Sequence, residues 1–247
     1  MDMDGPGPGR DGASDKGGAK PRRLPGGRHG LSKEAVKQSQ RERMVGAMID
    51  SVSSRSYAET TVADVIGQAG VSRATFYEHF GDKEDCFIAA YTTVMQGMLE
   101  SVAGAFASAD PESTWIDRLR IALGSLFGFI GSNPVAARVG IVEAFGAGSQ
   151  ARNHYQESVS AFFPFLDEGR KLTPDGDRIP PETARLVVGG ISALMYKRAS
   201  EGEADRLGED LPAAIYLATV PYIGHEAALE AMRETDPTLP EPSGGMR

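Results

Sequence analysis

The chain of 247 residues has one cysteine, Cys86, one tryptophan, and four histidines that stand far apart. A single thiol excludes an internal disulfide and any zinc site built from several thiolates. His29, His79, His154 and His225 never fall at metal-ligand spacing with one another or with Cys86, so neither a metal centre nor a cofactor is expected. No apolar run reaches the ~18 residues of a membrane span, and the polar, glycine-rich start has no apolar signal stretch. A cytoplasmic protein without membrane contact is the expectation. A glycine loop set between strand and helix to hold phosphate is missing, as is a nucleophile elbow. An enzyme of unknown type is therefore the most distant reading.

What is present is 40% apolar residues, enough for a sizeable core, and an uneven charge. The net charge is −8, yet residues 20–43 carry eight Lys and Arg against Glu34 and Glu42, a local +6. A basic segment in front of an acidic body is the asymmetry expected where one end meets phosphates. Residues 1–31 hold Arg22, Arg23 and Arg28 among many glycines and prolines, with almost no large apolar residue to offset ordering entropy. They are expected to form a disordered basic arm, either a solubilising tail or an arm that reaches the minor groove. Residues 237–247 read as a disordered tail.

The most informative stretch is Thr61–Phe80. Val62, Val65, Ile66 and Ala69 make one apolar helical face behind Thr61 as N-cap, and Gly70 stands where a left-handed C-cap is needed. Ser72 caps a second short helix whose Phe76 and Phe80 lie one turn apart on its inner face. Arg73, Ala74, Thr75, Tyr77, Glu78 and His79 are left pointing outward. On spacing alone this is either an ordinary αα-corner or a helix-turn-helix. A preceding helix from Ser32 to about Ser53 completes a three-helix domain over residues 32–81.

The run Gly70-Val71-Ser72-Arg73-Ala74-Thr75-Phe76-Tyr77-Glu78-His79-Phe80, followed by Asp82-Lys83-Glu84, resembles the recognition segment of the tetracycline-repressor (TetR) family over residues 40–91. Ile66 departs from it, since many members carry alanine there. The resemblance implies an all-α protein in which Thr61, Tyr77, Lys83 and His79 meet phosphates of a double-stranded operator. Arg73 and Thr75 would reach base edges, Ala74 would allow close approach, and Arg28 of the arm would add a contact. It further implies a homodimer through the last two helices, residues 181–232, where Gly189, Gly190 and Ala193 stand beside larger apolar residues.

Beyond Asp82 the pattern stays helical, giving a ligand-binding and dimerisation domain over 82–236. Helices are expected at 82–107, 115–132, 134–145, 149–172 (with Pro164 kinking it or ending it early), 181–204 and 211–232. An apolar cavity for a small hydrophobic effector is expected from Tyr91, Met95, Leu119, Leu123, Phe127, Phe145, Tyr155, Val159 and Phe162, with Glu143 and His154 as orienting polar groups. The expected function is a ligand-responsive transcriptional regulator, a repressor released by a small molecule. The alternative is an architectural or ligand-independent DNA-binding protein.

Overall fold

In the computed structural model, which describes residues 32–236, every regular element is helical. The arm with Arg28 and the tail 237–247 lie outside the described residues. Helix α1 (Lys33–Ser54) starts where the Ser32 hydroxyl accepts the Ala35 N–H, and its inner face is Met44, Met48 and Val52. Across it lie α2 (Val62–Ala69) and α3 (Arg73–His79). Helix α4 (Lys83–Ala107) begins on the Asp82 carboxylate and runs out of this group into the rest of the molecule.

The core of the amino-terminal half closes around Met44, Met48, Val65, Phe76, Phe80 and Phe87, all almost wholly buried. Each such side chain contributes about 1.5–3 kcal/mol of hydrophobic stabilisation. Cys86 belongs to this core, its Sγ directed at the Met44 carbonyl at 4.0 Å. Burial pushes its thiol up to about 12, which keeps it protonated and inert.

A second core holds the distal half of α4, α5 (Trp115–Ser132) and the later helices around Leu119, Phe127, Ile130, Leu207, Ile215 and Tyr222. Met95 and Phe129 touch both cores. The stretch expected as one helix over 134–145 changes pitch twice: α6 (Pro134–Ala137) opens into a π turn (Arg138–Val142) and then tightens to a 3-10 turn (Glu143–Phe145). The wide turn lets Gly140 lie so close to Val94 that an added Cβ would sit 3.2 Å from its methyl.

The helix expected over 149–172 is broken as well. Helix α7 (Ser149–Ser160) stops, and Pro164 lies in the first turn of α8 (Phe163–Asp167), where its missing N–H leaves no bond unmade. Helix α9 (Thr183–Ser200) ends before Gly202, short of the expected Ala204. The expected final helix over 211–232 is two: Gly224, at φ 80°, stops α10 (Leu211–Ile223), and α11 (His225–Thr235) turns back against it. The Arg120 guanidinium holds α11 through the Ala231 carbonyl and the Thr235 hydroxyl, both at 3.1 Å.

Candidate DNA-binding surface and interior cavity

The geometry of α2 and α3 is set by bonds between near neighbours. Thr61 and Asp64 form a reciprocal capping box, with the Asp64 N–H donating to the Thr61 hydroxyl at 3.2 Å and the Thr61 N–H to the Asp64 carboxylate at 2.9 Å. Those bonds, with Arg55 at 2.9 Å, bring the Asp64 carboxyl down to about 2. Gly70 takes the left-handed conformation at φ 63°, and Arg43 donates to the Ala69 carboxyl-end carbonyl at 2.7 Å, pinning the end of α2 to α1. The Ser72 hydroxyl accepts the Thr75 N–H and starts α3.

With Phe76 wholly buried, α3 leaves Arg73, Ala74, Tyr77 and Glu78 exposed and Thr75 and His79 partly so. The Arg73 guanidinium lies 5.8 Å from the centre of the Tyr77 ring, which braces both side chains outward. His79 sits 3.5 Å from Gln40 of α1. Burial first, then the cations Lys37 and Arg41, lowers its pKa. Lys37, Gln38 and Arg41 border the same hollow as His79, and they were not singled out from the sequence as contacts. The signal was the i, i+4 spacing of Lys37 and Arg41 on α1.

Lys83 has a different place from the one expected. Its ammonium donates to the carbonyls of Tyr57 at 2.9 Å and Thr60 at 3.0 Å and lies 4.0 Å from the Tyr57 ring centre, so it holds the α1–α2 loop. Thr61 is exposed, but its hydroxyl hydrogen is committed to Asp64 at 2.6 Å.

The interior cavity, of about 80 Å³, lies between α4, α5, α7 and α9. Tyr91, Met95, Leu119, Leu123, Tyr155, Val159 and Phe162 line it; the sequence did not point to Met98, Ser158, Ile191, Ser192 or Met195, which also do. The α9 contribution was hidden because this helix reads as apolar on several sides. Phe127 is buried in the second core away from the walls. Phe145 is exposed, its ring 4.6 Å from Tyr155 and 5.6 Å from Tyr196 over an open groove.

Neither expected orienting group reaches the cavity. His154 points outward on α7, with Nδ1 3.6 Å from Glu157. Glu143 is buried, but its carboxylate accepts the Tyr57 N–H at 2.9 Å and pairs with Arg138 at 3.0 Å, and so ties the π turn to the α1–α2 loop. Glu84 makes a parallel tie by accepting the Gln150 N–H at 2.9 Å at the start of α7.

A buried three-helix support with a short capped helix presenting Arg73 and Tyr77 defines a helix-turn-helix DNA-binding regulator. Residues 50–90 match the family described as bacterial regulatory proteins, tetR family. The HTH-type transcriptional regulator BetI of Stenotrophomonas maltophilia (strain R551-3) is 26% identical over 170 residues, 67% of this chain and 82% of that one. The fold is shared with the fatty acid degradation regulator FadR from Bacillus halodurans (TM-score 0.61, 15% identity, 76% of this chain and 96% of that one). It is shared also with FadR from Bacillus subtilis, solved in complex with stearoyl-CoA (TM-score 0.55, 16% identity, 74% and 98%). Residues 50–90 thus match the tetR-family regulatory model, and the fold of the chain is that of TetR-like regulators.

Proposed function

We propose that the protein is a homodimeric repressor that holds a two-fold symmetric operator with α3 of each subunit and is released when an apolar effector occupies the cavity. The observation that carries this reading is the double service of α4. Its Phe87 and Tyr91 close the core beneath α3, while Tyr91, Met95 and Met98 wall the cavity. A ligand acts only by binding one arrangement more tightly than another. One that displaces α4, α7 or the π turn moves the same bonds, through Glu84 and Glu143, that position the helix-turn-helix. The stearoyl-CoA complex of the similar FadR structure supports an apolar effector in this fold.

The dimer is supported by the outer face of α9, where Leu186 is 72% exposed beside Gly189, Gly190 and Ala193, next to exposed Leu217 of α10. Small residues there allow a second copy to approach closely. The direct test combines mass in solution with the DNA recovered by the pure protein from a random-sequence pool. A dimer and a two-fold motif with half-sites about 34 Å apart are expected; a monomer or an asymmetric motif would overturn the reading.

A further inference from the structure

Most cations of the carboxyl-terminal half are held by carboxylates, as Arg120 is by Asp117 and Glu234, and Arg198 by Glu203 and Asp210. Helix α1 is different. Lys33, Lys37 and Arg41 stand on it at i, i+4 and i+8, all exposed, and none of them forms an ion pair among the described residues. Like charges at that spacing repel, so the stripe works against the helix that carries it.

The stripe covers about 12 Å of helix axis and ends beside α3. There the Arg41 guanidinium lies 5.2 Å from the centre of the buried Phe80 ring, which holds it in place. Lys37 and Arg41 line one hollow with His79 of α3. The acids nearby are few: Glu42 accepts the Gln38 amide at 2.8 Å, and Glu34 and Glu78 stand at the same hollow. The two cations and two carboxylates of the hollow balance, so a single small anion gains little there. A duplex carries one negative charge per about 1.7 Å of its axis and can meet all three cations at once.

We propose that the face of α1 bearing Lys33, Lys37 and Arg41 grips the phosphate backbone of the operator beside the groove that α3 enters. Helix α3 reads bases, and the side of α1 holds the strand that borders them, a contact that carries no sequence information. This deepens the DNA-binding reading above and rests on it.

The test uses the full chain and two duplexes of equal length, one bearing the motif recovered from the random-sequence pool and one of random sequence, each titrated over a range of salt. Lys37→Gln and Arg41→Gln are each expected to lower the slope of log affinity against log salt by about 0.9, and the triple variant with Lys33→Gln by about three times as much. Both duplexes are expected to lose affinity alike, so that preference for the motif is kept. Lys171→Gln removes an exposed cation, also without an ion pair among the described residues, from the turn after α8, and is expected to leave the slope unchanged. The Tm of Lys33→Gln and Lys37→Gln is expected to hold or rise, since a repulsion is relieved. Unchanged slopes in the stripe variants, an equal fall in Lys171→Gln, a changed preference for the motif, or a lowered Tm would overturn the assignment. Arg73→Ala and Tyr77→Ala in the same titrations separate the two claims. If they weaken binding and the stripe variants do not, the stripe falls and the reading of α3 stands; if the stripe variants alone weaken it, the grip of α1 stands and another element reads the bases.

Discussion

Between residues 32 and 81 each helix begins on the side chain of its own N-cap residue, Ser32, Thr61 and Ser72 in turn, as do α4 and α5, whereas none of α7, α8, α9, α10 and α11 does, and α7 is met instead by the distant Glu84. The DNA-reading half is stiffened by bonds between neighbours, and the cavity half is held by contacts between distant segments. Local bonds fix a surface that must match a rigid duplex. Distant contacts leave walls that can part around a ligand.

The sharpest way to break this comparison is to make the same kind of deletion in both halves. Phe76→Ala is expected to cost about 3–5 kcal/mol, because the side chain is wholly buried in a filled core. Leu123→Ala removes a side chain that already borders empty space, and its cost is expected near about 2 kcal/mol, the low end for such truncations. Urea unfolding measures both; equal losses would show that the two halves are packed alike. Next in size are the outward residues of α3. Arg73→Ala is expected to cost about 1–3 kcal/mol of operator affinity and to relax preference at one position per half-site. Tyr77→Ala should weaken binding to every sequence. A titration at fixed salt in which neither variant departs from the native protein would mean that another face meets DNA.

Removing a cap sharpens the contrast further. Ser72→Ala is expected to cost about 0.5–2 kcal/mol, typically ~1, while Ser149→Ala at the start of α7, whose first N–H groups are met by Glu84 and not by a neighbouring side chain, should fall within about 0.5 kcal/mol of the native protein. The smallest effect is with pH. Asp64 is held at about 2, below its ordinary 3.8. Its bonds to Thr61 and Arg55 therefore contribute fully above the ordinary value and are lost as pH falls from about 4 toward 2. The acid limb of a stability profile should be shallower in Asp64→Asn, and an unchanged limb would place the acid-sensitive group elsewhere.

The same division explains what the sequence made legible. Caps, a glycine turn and a phenylalanine pair lie within a few residues of one another, so the bounds of α1 to α5 could be read almost to the residue. Gly224 and Pro164 were visible, but whether each bends, breaks or is tolerated depends on the packing beyond it. The π turn follows from how closely Gly140 must approach Val94, a contact made across the fold. Lys83, Glu143 and His154 are polar residues in suggestive places. Two of them are claimed by backbone groups far along the chain and the third faces outward, and residue type alone carries no record of either outcome.

Cys86 gives the molecule a reporter of its own opening. Its thiol lies on α4 against the Met44 carbonyl of α1, wholly covered and held protonated. A thiol reagent can modify it only in molecules whose α1 and α4 have parted. Because no second cysteine competes, each modified chain records one such event. The labelling rate at constant pH thus counts how often the amino-terminal core opens between α1 and α4, without a probe having to be introduced.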